Sequence, residues 1–333
     1  MYSEKPKLYA RQRLWKPGDL KSISLDVTSK CNMSCPHCYA RTFRNRKPVG
    51  LDVLKKALDE LYGTGVTHYI LQGGEAIVEP DRLKKIINMI YPDETYINVA
   101  SNGWEMSLDR IQWLKGLGVD KISFSLDSGI AEEHDAGRCK GSFKKVKKAI
   151  DNTRKEGLDV SFSLTMPRDF IFTRGFKKAM LYALKKEIRM EAQIAEPVGK
   201  WDGRKDILID WVDAECIKWL SVNAPLTYDN RIMIKRDIYR GNEDYCPAGT
   251  EFMALSPDGE FLPCNFLQFS LGNIKDRSIK EMRDALLTSR WFNQKYRHCL
   301  IGENEEFIDS YVMPHVGKQK PLDAYEIFNL KEA

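Results

Sequence analysis

The 333-residue sequence has no apolar run of transmembrane length, and its start, Met1-Tyr2-Ser3-Glu4-Lys5-Pro6-Lys7, lacks the apolar stretch of a signal peptide. Neither a membrane partner nor export is expected. Charge of one sign is also scarce: 52 Lys and Arg against 47 Asp and Glu leave a net +5. So small and evenly spread an excess argues against a nucleic-acid partner. A hydrophobic content of 43% suits an ordinary globular protein with a large core. Without an export signal, the eight cysteines read as metal ligands in a reducing cytoplasm rather than as disulfides.

Three of those cysteines fall within eight residues, Cys31-Asn32-Met33-Ser34-Cys35-Pro36-His37-Cys38, directly after the strand-like run Ser22–Thr28. Thiolates this close converge on one soft metal centre, which means an iron–sulfur cluster, zinc or copper(I). Ferredoxin-type runs supply four cysteines at other spacings. Three ligands on one loop leave one iron of a four-iron cluster open, which suits catalysis better than electron storage. A structural zinc knot with His37 as the fourth ligand answers to the same residues.

Six strand-like runs begin near Ser22, His68, Thr95, Lys121, Asp159 and Arg189, with amphipathic stretches between them. Leu51, Leu54, Leu58 and Leu61 form one helical stripe; Leu83, Ile86, Ile87 and Ile90 a second; Phe143, Val146 and Ile150 a third. The lysines at 144, 145, 147 and 148 lie opposite that third stripe and read as a solvated face. The pattern predicts an α/β fold, a partial (βα)6 TIM-like barrel over 1–199. A connecting helical segment (200–244) and a smaller C-terminal unit (245–333) follow. In βα barrels the chemistry gathers at the C-terminal ends of the strands. The second run ends there in Gly73-Gly74-Glu75, the third in Ser101-Asn102-Gly103, and the fourth in Asp127-Ser128 after the alternating Ser123 and Ser125. Arg138 follows in Glu133-His134-Asp135-Ala136-Gly137-Arg138.

These motifs resemble the radical S-adenosylmethionine (radical SAM) enzymes. The resemblance implies that Cys31, Cys35 and Cys38 hold a [4Fe–4S] cluster whose open iron chelates S-adenosylmethionine (SAM). Reductive cleavage of SAM would then give a 5′-deoxyadenosyl radical that abstracts hydrogen from a substrate. The same resemblance makes Gly73, Gly74 and Glu75 the element that binds the SAM amino group. It places Ser101, Asn102, Ser125 and Asp127 against the cofactor or substrate, and Arg138 as a carboxylate clamp. The sixth strand end, Glu196-Pro197-Val198-Gly199, is where the family often packs the adenine. Ala76 stands where a proline usually follows the Gly-Gly-Glu motif, and Cys139 replaces the final glycine of the element containing Arg138.

The C-terminal region carries Cys246, then two apolar runs around Pro257-Asp258-Gly259 that read as a hairpin, with Cys264 at its end. With Cys299 and the Leu271-Gly272-Asn273-Ile274 segment, this resembles the SPASM or twitch extension, implying one auxiliary [4Fe–4S] cluster. Its fourth ligand is open among His298, Glu303, Asp309, His315, Cys139 and Cys216, or is absent so that substrate binds directly; zinc is again the alternative. Arg41, Arg44, Arg46 and Lys47 follow the cluster loop. They read as a solvated loop or as a docking surface for an acidic electron donor such as flavodoxin or ferredoxin. About twenty residues precede the first strand, too few for the leader-binding domain that many peptide-modifying members carry. The expected reaction is therefore an oxidative or rearrangement step on a small metabolite or cofactor precursor. Crosslinking or epimerisation of a ribosomally made peptide is the alternative, and a non-catalytic iron–sulfur or zinc protein the alternative of another class.

Overall fold

Alternation of buried apolar and interior polar residues gives each βα unit its strand. The computed structural model describes residues 5–16, 18–223, 234–235, 245–294 and 296–331. Helix α1 (Pro6–Gln12) precedes strands β1 (Ser22–Thr28), β2 (His68–Gly73), β3 (Tyr96–Ser101), β4 (Lys121–Ser125), β5 (Asp159–Met166) and β6 (Arg189–Ile194). Five of the six begin at the residue the pattern marks, and β3 begins one later. Between them run α2 (Leu51–Gly63), α3 (Pro80–Met89), α4 (Leu108–Gly116), α5 (Ala131–Gly137), α6 (Ser142–Lys155) and α7 (Arg174–Lys186). Their stripes pack outside the sheet: Leu54, Leu58 and Leu61 of α2, Leu83, Ile86 and Ile87 of α3, and Val146 and Ile150 of α6 are all buried.

The sheet is larger than six units. Its order is β7-β6-β5-β4-β3-β2-β1-β8-β9, parallel throughout except for the last pairing. Strand β7 (Ile234–Lys235) lies beside β6 at one edge, and the C-terminal hairpin, β8 (Phe252–Leu255) and β9 (Phe261–Leu262), continues the sheet beyond β1 at the other. Strand β8 runs parallel to β1 with Ser22 opposite Phe252 and Leu25 opposite Leu255. The hairpin expected from Pro257-Asp258-Gly259 therefore forms, with Gly259 at φ +97° in its turn, but as part of the barrel sheet. Of the segment expected at 200–244, α8 (Trp211–Asn223) and β7 are seen. Residues 224–233 and 236–244, like Met1–Glu4 of the expected non-signal start, lie outside the described residues.

After the hairpin, β10 (Phe269–Ser270) pairs with β11 (Leu322–Asp323), and α9 (Ile279–Leu286) starts at a capping box between Ser278 and Glu281. Phe269, Trp291, Phe292, Phe307 and Phe328 pack edge-to-face there. No helix among the described residues is long and apolar enough to cross a membrane.

The barrel interior is polar and layered. On β4, Ile122 and Phe124 face the helices while Lys121 and Ser123 point inward, and all four are buried. At the base Lys121 Nζ meets Glu191 Oε1 at 2.6 Å, both side chains under a tenth exposed. Above them Ser123 donates to Asn98 Oδ1 at 3.1 Å and lies 2.9 Å from Ser161 Oγ. Asp127 lies above these, near the mouth. A buried charge left unpaired is expensive, whereas an apolar pair of similar volume is tolerated. Lys121→Met should therefore lower the unfolding free energy by about 3–5 kcal/mol in urea titration, and the double change K121M/E191L should recover most of it. A single-variant cost no larger than that of a surface substitution would contradict the assignment.

Candidate functional site

All eleven residues singled out at the ends of the first four strand units line one cavity at the barrel mouth. They are Cys31, Cys35 and Cys38; Gly73, Gly74 and Glu75; Ser101 and Asn102; Ser125 and Asp127; and Arg138. The cysteine loop leaves β1 and is fixed from several sides. Gly74 N–H donates to Thr28 O and Glu75 N–H to Lys30 O, both at 2.8 Å. Such closeness requires glycine. A Cβ on Gly74 would stand 2.0 Å from Lys30 O, and one on Gly73, at φ +121°, would stand 2.5 Å from Thr28 O. The two glycines thus admit the backbone of the cluster loop, beyond whatever room they leave for a ligand. From the opposite side, Lys200 N–H donates to Pro36 O at 2.8 Å, and Gly199 packs on Cys38 O. The sixth strand end therefore holds the loop as well as flanking the cavity.

Glu75 is 4% exposed and ties β2 to β3, accepting from Ser101 Oγ and from Asn102 N–H, both at 2.8 Å. Burial pushes its carboxyl up to about 7 against those two hydrogen bonds. Asn102 Nδ2 donates in turn to Asn32 Oδ1 at 2.7 Å, so the Gly-Gly-Glu end reaches the cluster loop through β3 too. On β1 itself, Asp26 accepts from the Tyr39 hydroxyl at 2.7 Å, and burial raises its carboxyl to about 7. In the thiol form burial raises all three cysteines, Cys31 to about 11. Binding of a cation is what would draw off their protons.

Arg138, expected as a carboxylate clamp, is paired within the chain. Its fork closes on the chain's own Asp127, Nε to Oδ2 at 2.6 Å and Nη2 to Oδ1 at 2.9 Å, while Nη1 lies 3.8 Å from Cys35 Sγ. The short α5 turns the chain back so that Arg138 faces the end of β4. Burial pushes the Asp127 carboxyl up, but Arg138 and His37 together hold it well below the usual carboxylate range. His37 is not gathered as a fourth ligand: its Nε2 lies 3.9 Å from Asp127 Oδ2 and its ring 5.5 Å from that of Trp201. Among the described residues, no three His, Cys, Asp or Glu side chains close on a single ion. Three of the basic residues after the loop are engaged within the chain. Arg41 reaches Ser34 Oγ, Arg44 reaches Met33 O and Ser34 Oγ, and Arg46 reaches Asp258 and Lys320 O. They brace the loop and its neighbours, a use that the docking reading does not foresee.

Cys246, Cys264 and Cys299 line a second, smaller cavity beside the first. Cys246 N–H donates to Tyr296 O at 2.7 Å, and Glu303 accepts from Cys299 N–H at 2.9 Å. None of the six side chains considered as a fourth ligand lines this cavity among the described residues. His298 is exposed beside Glu303, Asp309 pairs with Lys205, and His315 Nδ1 lies 3.0 Å from Tyr311 O. Cys216 sits on α8 and Cys139 just after α5. Glu196 is the one carboxylate among the described residues that does line it. Gln193, Glu196 and Phe266 line both cavities, and Gln193 Nε2 donates to Glu196 at 2.8 Å. Gln193 escaped the sequence reading although a signal was present: with Glu191 it supplies the polar positions between the apolar Met190, Ala192 and Ile194 of β6. All-sulfur donor sets, one on a braced loop and one at a hairpin end, suit iron–sulfur clusters at both places.

Comparison with known proteins agrees with this geometry. Protein-family models match residues 25–170 to the radical SAM superfamily and 246–302 to an iron-sulfur cluster-binding domain, SPASM. The chain is 25% identical over 293 residues to the AdoMet-dependent heme synthase of Nitratidesulfovibrio vulgaris, covering 79% of this chain and 78% of that protein. It is 25% identical over 294 residues to the sporulation killing factor maturation protein SkfB of Bacillus subtilis, covering 78% of this chain and 64% of SkfB. Among solved structures, anSMEcpe with bound AdoMet and Cp18Cys peptide superposes with a TM-score of 0.60 at 16% identity, covering 88% of this chain and 97% of that one.

The glycine packing gives a direct test of the loop. Gly74→Ala should displace the backbone at Lys30 and at least halve the iron retained at Cys31, Cys35 and Cys38 after anaerobic reconstitution, with the circular dichroism unchanged. Full iron retention would show that the approach of β2 does not set the loop.

Proposed function

Because this chain belongs to the radical SAM superfamily and carries a SPASM iron–sulfur domain, we propose that it removes a hydrogen atom from a substrate held at the barrel mouth. The overall change would be an oxidative or rearrangement step on a small metabolite or cofactor precursor. The observation that carries this reading is the pair of thiol triads opening on neighbouring cavities that share Gln193, Glu196 and Phe266 as walls. A substrate between those walls can face both centres. When bound, the cluster and SAM supply a 5′-deoxyadenosyl radical. The chain's own residues orient and shield. Cys31, Cys35 and Cys38 would hold the SAM-binding cluster; the Gly73–Glu75 turn, Ser101, Asn102, Ser125 and Asp127 would line the cofactor's berth. Cys246, Cys264 and Cys299 would hold the auxiliary cluster. Buried Glu196, with the half-buried Gln193 donating to it, would present an acceptor to the substrate.

The heme synthase relatives, similar along most of both chains, support the small-molecule reading. A second reading, maturation of a ribosomally made peptide, is supported by the likeness to SkfB and to the PqqA peptide cyclase of Ruegeria pomeroyi, 23% identical over 276 residues. Either requires one electron per SAM cleaved, from a reductant such as flavodoxin or ferredoxin.

Anaerobic reconstitution with iron and sulfide tests this reading. The expected outcome is about eight irons per chain and 5′-deoxyadenosine formed with dithionite, the latter lost in a Cys31/Cys35/Cys38→Ala triple variant. The Cys246/Cys264/Cys299→Ala variant should retain about half the iron. Zinc in place of iron, without SAM cleavage, would overturn the enzymatic reading.

A further inference from the structure

Arg138 stands far from Cys35 in sequence, yet its Nη1 lies 3.8 Å from the Cys35 sulfur while its other two nitrogens hold Asp127 bidentately. Both side chains are mostly buried, at 9% and 15% exposure. We propose that the Asp127–Arg138 pair sets the reduction potential of the cluster held by Cys31, Cys35 and Cys38, an inference that rests on the radical SAM reading above.

Reduction adds one negative charge to a cluster. A guanidinium N–H aimed at a ligand sulfur, and the positive charge behind it, stabilise the reduced form and raise the potential. A carboxylate at the same place does the reverse. In a site with little water both effects are poorly screened. Here the two are coupled in one pair, so that the cluster feels an N–H donor and only the remainder of the two charges. The other groups facing Asp127 do not replace Arg138 as a sulfur donor. His37 Nε2 lies 3.9 Å from Oδ2, Thr165 N–H donates weakly to Oδ1 at 3.4 Å, and His134 Nδ1 accepts the backbone N–H of Asp127 at 3.1 Å. The balance suits the task. A potential too high cannot reduce SAM, and a full buried charge of either sign would move it far.

Removing either member of the pair should shift the midpoint, with opposite signs. Arg138→Gln removes the sulfur donor and leaves the Asp127 carboxylate uncompensated, so the midpoint falls. Asp127→Asn leaves the guanidinium charge uncompensated beside Cys35, so the midpoint rises. The experiment is a mediator redox titration of the full reconstituted chain, followed by electron paramagnetic resonance with and without SAM. The first cluster's signal is identified by its loss in the Cys31/Cys35/Cys38→Ala variant, and the auxiliary cluster serves as the internal reference. Opposite shifts of the first cluster beyond titration error, with the auxiliary midpoint unmoved, are the expected result. Shifts of the same sign, unmoved midpoints, or equal movement of both clusters would overturn it.

If Arg138→Gln loads too little iron to titrate, Asp127→Asn decides alone, since a fall or no change contradicts the proposal. Arg138→Lys, which keeps the charge but not the fork, should then have a midpoint below that of the unsubstituted chain. A wild-type chain without a SAM-cleaving cluster sinks the radical SAM reading. Normal SAM cleavage with unmoved midpoints sinks only the role of the pair.

Discussion

The whole site depends on how closely the end of β2 approaches the loop leaving β1. Two backbone hydrogen bonds, Gly74 N–H to Thr28 O and Glu75 N–H to Lys30 O, fix the start of the cysteine loop, and a Cβ on Gly73 or Gly74 would not fit at that distance. Farther along, the loop is held from other strand ends and from its own following turn. Asn102 reaches Asn32, Arg44 reaches Met33 and Ser34, and Lys200 reaches Pro36. The loop therefore receives hydrogen bonds from the second, third and sixth units of the barrel as well as from its own following turn. A cluster bound there would be held by the convergence of these strand ends, which is why strand order matters to the chemistry.

Strand β1 has a second consequence because it has neighbours on both sides. Strand β2 brings the glycines, and β8 brings the C-terminal hairpin in parallel register. The hairpin carries Cys264 at its end, and Gln268 farther on donates to Tyr39 O and accepts from Thr42. Cys264 is thus attached through the hairpin to the strand that leads into the first three thiols, and the two cavities share Gln193, Glu196 and Phe266. One sheet, rather than a flexible tether, fixes the relation between the two sites.

Much of this was legible in the sequence because it is local. Strand starts follow from alternation, helix faces from the period of Leu54, Leu58 and Leu61, and the hairpin from Asp258-Gly259. The cysteine spacing and the polar residues where apolar runs stop named the residues around the first cavity. What was not legible is non-local. Nothing around Phe252 announces that it pairs beside Ser22. Arg138 reads as a clamp for a carboxylate, but only the fold shows that the carboxylate is Asp127. The candidate fourth ligands were four side chains after Cys264 and the two spare thiols Cys139 and Cys216, whereas the carboxylate that lines that cavity is Glu196, just beyond β6.

Two separate iron–sulfur centres, one on each cysteine triad, would sit side by side in this arrangement. An iron-edge anomalous difference map from crystals of the anaerobically reconstituted protein tests it most directly. The expected map holds two iron peaks, one enclosed by Cys31, Cys35 and Cys38 and the other by Cys246, Cys264 and Cys299, with Gln193 and Glu196 between them. A single iron centre, or peaks that appear only at the zinc edge, would contradict it.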